Sequence, residues 1–275
     1  MASLGQIIFY SMITLIILFS ALIILILSLA FTGNLSEVMS SSRFPVANLG
    51  EDKLISCYLN TESQQGRLRE VSVIWEKKDM TGLVYQYRDG APALERQNPQ
   101  FKGRTQLFPD ALLTGNASLL LRSVRQSDEG QYTCSITSSD GGGKVNIHLR
   151  TAAYSTPTFK FSGGILVAEA SRWFPKPNVT WTSFNGDVLN GSTSYAQNSA
   201  GIFSLVSNLQ HVNISDIYTC KIENDLVTSI SRETVTASDV LGSTYFTFNA
   251  APPLLTSSTY LSIMTSVLCI YYLIQ

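Results

Sequence analysis

The chain has 275 residues, with 19 Lys and Arg against 20 Asp and Glu and a formal net charge of −1. That balance, without any run of Lys and Arg, gives no electrostatic case for a nucleic-acid partner. Charged residues make up only 14% of the sequence and all fall within residues 37–239, so two uncharged ends flank a charged centre and a simple cytosolic protein is excluded.

Residues 7–31 are apolar apart from Ser and Thr. This stretch is longer than the core of an ordinary signal peptide and has no basic flank. A secretory signal over residues 1–30, cleaved after Ser28-Leu29-Ala30, fits it, and so does an uncleaved signal anchor. Five Asn-x-Ser/Thr sequons follow, at Asn34, Asn116, Asn178, Asn190 and Asn213, as in an exported glycoprotein.

Between the ends the sequence is built of short alternating runs punctuated by turn residues. Val71-Ser72-Val73-Ile74-Trp75 and Gln131-Tyr132-Thr133-Cys134-Ser135-Ile136 are examples, and no long stretch of helical period interrupts them. Many short strands predict an all-β fold of sandwiches. A pattern then repeats. Cys57, Trp75 and Cys134 are spaced by 18 and 59 residues, and Trp181 and Cys220 by 39; Tyr132 and Tyr218 each stand two residues before the late Cys. The boundary falls near Thr151–Pro157, dividing a domain over 37–150 from one over 151–238. The 20 extra residues between Trp and Cys in the first leave room for two additional edge strands, so it reads as nine-stranded and the second as shorter.

Residues 239–253 read as a stalk. Residues 254–274 are mostly apolar, and no Lys or Arg follows as a stop-transfer helix would lead one to expect. Asn249-Ala250-Ala251, a spacer over 252–259 and the tail over 260–274 also have the layout of a glycolipid-anchor signal. Both readings place the globular part at the extracellular face of the plasma membrane.

Asp128-Glu129-Gly130-Gln131-Tyr132-Thr133-Cys134 carries D-x-G-x-Y-x-C, the signature of variable-type immunoglobulin domains. Arg172-Trp173-Phe174-Pro175-Lys176-Pro177-Asn178-Val179-Thr180-Trp181 resembles the constant-type domain of costimulatory ligands and butyrophilins. Together with Phe101-Lys102-Gly103-Arg104-Thr105 and Gly115-Asn116-Ala117-Ser118-Leu119, these runs identify a resemblance to that immunoglobulin family over nearly the whole chain. It implies tandem variable-type and constant-type sandwiches and a Cys57–Cys134 disulfide. It also implies a structural ion pair between Arg104 and Asp128. The place of the second domain's partner for Cys220 is held by Ala168, so Cys220 is expected as an unpaired core cysteine, with Leu166, Phe203 and Leu205 carrying more of that core.

Enzyme chemistry finds no footing. The two His residues, His148 and His211, read as an outward strand residue and a turn residue, and no metal, phosphate or nucleophile motif is present. No catalytic residue, metal ligand or cofactor is therefore expected. Recognition remains. Alternation about Trp75 and Cys134 turns Ile74, Glu76, Thr133, Ser135, Asn146 and His148 outward, and Tyr85 and Tyr87 are expected to join them from the next strand. The resemblance implies a protein receptor on T cells as partner and an inhibitory ligand as function; adhesion through the same sheet is the alternative, and a homodimer is compatible with either.

Overall fold

The computed structural model describes residues 4–31, 37–60, 68–139 and 141–249. Helix α1, Leu4–Phe31, contains a span, Phe9–Ile26, long and apolar enough to cross a membrane. It has no acidic residue in its first turn and no basic one in its last. Its apolar residues are not gathered into one stripe that could seat it on a core.

The first sandwich comprises β1 (Glu37–Met39), β2 (Val46–Asn48), β3 (Lys53–Ile55), β4 (Tyr58–Asn60), β5 (Ser72–Lys77), β6 (Tyr85–Arg88), β7 (Ala91–Pro92), β8 (Thr105–Gln106), β9 (Leu119–Leu121), β10 (Gly130–Ser138) and β11 (Gly141–Ala152). A sheet ordered β2-β11-β10-β5-β6-β7 faces a smaller one ordered β3-β9-β8, and β1 pairs with β4. The alternation of apolar residues dictates which side is buried: Val73 and Trp75 on β5, Tyr132, Cys134 and Ile136 on β10, Val145, Ile147 and Leu149 on β11 all point into one core. A Cys57–Cys134 disulfide crosses it, closing a separation of 77 residues, and the indole N–H of Trp75 donates to the Ala117 carbonyl at 3.0 Å.

The second sandwich comprises β12 (Thr158–Ser162), β13 (Ile165–Trp173), β14 (Asn178–Ser183), β15 (Val188–Leu189), β16 (Gly191–Gln197), β17 (Phe203–Leu209), β18 (Ile217–Glu223), β19 (Val227–Val235) and β20 (Val240–Phe248). Its sheets are β12-β13-β17-β16 and β15-β14-β18-β19-β20, the constant-type arrangement with a strand added at one edge. Cys220 is a buried free thiol opposite Trp181 in the β14–β18 pair. Trp181 donates to the Ser207 hydroxyl at 2.9 Å, and Ser207 is the cross-strand partner of Ala168. Ala168, Cys220 and Trp181 thus share one core without a crosslink.

The added strand corrects the stalk read over 239–253. Residues 240–248 pair with β19 at every position from Val240↔Val235 to Phe248↔Val227. The physical reason is visible in both strands. Val-Leu-Gly-Ser-Thr-Tyr-Phe-Thr-Phe is rich in β-branched and aromatic residues and contains no Pro or charge. The inward side of β19 carries Ser229, Ser231 and Glu233, which are buried and would otherwise lie on an open edge. Thr244 bonds Ser231 at 2.7 Å, and Gly242 passes so close to the Glu233 carboxylate that a Cβ there would overlap it. The strand ends where the two domains meet: Asn249 donates its backbone N–H to Leu226 and its side-chain amide to the carbonyls of Asn224 and Asp225, while Arg150 donates to the Asn249 carbonyl.

The domains are joined by more than a linker. β11 continues through Ala152, Leu49 donates to the Ala152 carbonyl at 2.8 Å, and Ala153 exchanges two backbone bonds with Phe174. The Asn48 side chain bonds the backbone of Tyr154 in both directions, and Arg172 reaches back to the Leu49 carbonyl. Residue 34, Cys269 and the segment 254–274 lie outside the described residues.

Candidate functional site

The outer face of the β11-β10-β5-β6 sheet is set by register. Thr133 stands between Asn146 and Glu76, Ser135 between Lys144 and Ile74, and Ile74 opposite Gln86; Gln131 and His148 form the next row. Neighbouring strands are about 4.8 Å apart, so these rows make a continuous surface. Ile74, Thr133 and Ser135 are half-buried in it, and Glu76, Asn146 and His148 are exposed. Thr133 donates to the Asn146 side-chain oxygen at 2.9 Å, which fixes both rotamers. At the edge, the His148 N–H donates to the Arg43 carbonyl at 2.7 Å and the Phe44 ring lies 6.3 Å from the imidazole. A shallow cleft of about 240 Å³ opens there between Phe44, Gln131 and His148.

Tyr85 and Tyr87 do not belong to this face. They are 5% and 9% exposed and lie in the core. Tyr85 is the cross-strand partner of Trp75 and Tyr87 of Val73, and directly opposed residues share a side of the sheet. Gln86 and Arg88 are the outward residues of β6 instead. Burial raises the Tyr85 phenol above its ordinary pKa. Sequence reasoning missed Gln86, Phe44 and Arg43. The register signal for Gln86 was present in the alternation of β6; Arg43 and Phe44 arrive from a distant edge segment and have no local signal.

The base of the first domain holds a buried bidentate pair. The two terminal nitrogens of Arg104 meet the two carboxylate oxygens of Asp128 at 2.7 and 2.8 Å. Burial opposes the Asp128 charge, but hydrogen bonds from Arg104, the Arg125 backbone and Gln100 outweigh it and hold the carboxyl below its usual range. The Tyr132 hydroxyl donates to the Asp128 carbonyl at 2.6 Å, locking the turn before β10. In the second domain, the Tyr218 hydroxyl accepts from the Asn213 N–H at 3.0 Å. Burial, then the nearby Glu233 charge, pushes the Cys220 thiol far above its ordinary value, so it stays protonated and unreactive.

Asn116, Asn178, Asn190 and Asn213 are all exposed, and none sits on the rows just described. Among the described residues no group of three His, Cys, Asp or Glu side chains could hold a metal.

Two sandwiches, each with a Trp opposite a cysteine across one strand pair (Trp75 and Cys134 on β5 and β10, Trp181 and Cys220 on β14 and β18) and a Tyr two residues before that cysteine, define an immunoglobulin-superfamily protein. The immunoglobulin V-set domain matches residues 41–150. The human V-set domain-containing T-cell activation inhibitor 1 is 36% identical over 249 residues, covering 87% of each chain, and the rat protein of the same name is 38% identical over 250 residues with the same coverage. The crystal structure of the human B7-H4 IgV-like domain is 33% identical to this chain, covers 42% of it and 96% of the solved chain, and superposes with a TM-score of 0.38. The chain belongs to the family of V-set domain-containing T-cell activation inhibitor 1.

Proposed function

We propose that the protein is a cell-surface ligand that restrains T-cell activation, proliferation and cytokine production by binding a receptor on T cells through the outer face of β11, β10, β5 and β6. The inhibitory sense comes from the named relatives, which are T-cell activation inhibitors. The face is supported by one observation above the rest: it is a broad surface of half-buried Ile74, Thr133 and Ser135 ringed by exposed polar residues, with no sequon on it. A half-buried centre, with Ile74 as its apolar anchor, inside an exposed polar rim is an arrangement that protein contacts use. The ligand is held at the extracellular face of the plasma membrane through its C-terminal apolar segment.

Cells displaying the full chain, mixed with activated T cells, test the reading. The wild-type chain lowers proliferation and cytokine output, and Ile74→Asp, displayed at equal level, does not. Clustering of cells without loss of T-cell output would favour adhesion; inhibition retained by Ile74→Asp would move the contact to another surface.

A further inference from the structure

β20 changes where the chain leaves the folded part. Its nine residues run back along the second domain for about 30 Å, from the turn after β19 to the domain junction. Asn249, pinned there by Leu226, Asn224, Asp225 and Arg150, is separated from Leu254 by a reach of about 18 Å at full extension. A molecule standing on the far end of its second domain would need the tether to cover the length of β20 again, which exceeds that reach.

The junction is built to meet a membrane. A cleft of about 430 Å³ opens beside Asn249, lined by three cations, Arg43, Lys53 and Arg150, and by the apolar Phe44, Leu54 and Phe248; no carboxylate lines it. Glu129, the acid acting on Arg150, is occupied by the N–H and hydroxyl of Thr151, each at 2.9 Å. The Arg150 Nε is buried with no hydrogen-bond partner among the described residues, a donor that an anionic oxygen would satisfy. Leu54 and Phe248 are exposed in the cleft lining, and apolar groups beside cations are the amphipathic mixture found at bilayer interfaces. Asn190 and Asn213, by contrast, line a cleft at the opposite end of the domain, with Phe184.

We propose that this waist is a membrane-docking surface: the cleft at Arg43, Lys53 and Arg150 takes phospholipid headgroups, and the protein lies along the bilayer with Leu54 and Phe248 against it. The proposal rests on the reading that residues 254–274 enter the bilayer.

The test uses the full chain reconstituted in phosphatidylcholine liposomes with brominated acyl chains, which quench nearby indoles. The native Trp75, Trp173 and Trp181 are buried. Reporters are Leu54→Trp, at a side chain 52% exposed in the cleft lining, and Phe184→Trp, at one 70% exposed at the far end. The Leu54→Trp reporter loses about half or more of its added emission and the Phe184→Trp reporter little; Arg43→Gln with Lys53→Gln at least halves the quenching at the cleft without moving the melting temperature. The reverse pattern, or no quenching at either reporter in protein that floats with the liposomes, overturns the docking while leaving the anchor intact. Quenching indifferent to the double Gln variant overturns the headgroup assignment. Protein that does not float with the liposomes overturns the anchor and the docking together.

Discussion

Tyr85 and Ile74 differ by one cross-strand step and have opposite roles. Ile74→Asp places a carboxylate on a half-solvated surface and leaves the melting temperature within a few degrees of wild type, while receptor-cell binding is lost. Tyr85→Asp puts a charge beside Trp75 and costs about 4 kcal/mol or more, read as a collapse in surface display and in the thermal transition. The Arg104–Asp128 pair makes a second prediction. Asp128→Asn leaves a buried guanidinium short of its counter-charge and costs about 3–5 kcal/mol. Because the folded-state pKa of Asp128 is depressed, its contribution is complete above the unfolded value near pH 3.9 and is lost as pH falls through the lower folded value. Acid unfolding of the wild type therefore steepens below about pH 4, and the variant, followed by circular dichroism, loses that steepening.

Strands were legible where alternation was strong and both neighbours were local. β5, β10 and β11 show their inward residues directly in sequence, as do the Trp, Cys and Tyr of each sandwich. The side of β6 was not legible because Leu83, Val84, Tyr85 and Tyr87 are all apolar or aromatic, and only pairing with β5 chooses among them. β20 was hidden for a different reason: an uncharged run just ahead of an apolar tail looks like a spacer until the buried Ser and Glu of β19 require a cover. The glycines at 141–143 open β11. Gly142 lies so close to the Ile136 carbonyl that a Cβ would stand at 2.4 Å. The missing crosslink of the second sandwich can be restored. Ala168→Cys puts a thiol beside Cys220 in a shared dry core, and the resulting disulfide raises stability by about 2–4 kcal/mol, seen as a higher melting temperature that reductant abolishes.

At the scale of the molecule, two cores are held in one arrangement by a small polar set. Asn48, Leu49, Ala153, Tyr154, Arg172 and Phe174, with Arg150 and Asn249, make bonds across the junction, and no sequence motif announces them, because each is an ordinary residue and, Ala153 with Phe174 aside, its partner lies about a hundred positions away. Replacing Asn48 and Arg172 together with Ala removes their side-chain bonds but neither core. Each domain keeps its thermal transition within about 1 kcal/mol, and small-angle scattering shows a wider spread of interdomain angles.

β11 runs unbroken from the proposed recognition face to Ala152, and beside its last residues β2 lies parallel, with Arg150, Thr151 and Ala152 opposite Val46, Ala47 and Asn48. Tension between two cells would load this ribbon lengthwise. Strands pulled along their length must break their shared bonds at once rather than one after another, so a tug on the bound receptor reaches the domain junction, where Asn249 holds the tether, as stiff shear. The grip of the contact, and not the hinge beneath it, then decides how long the two cells stay engaged.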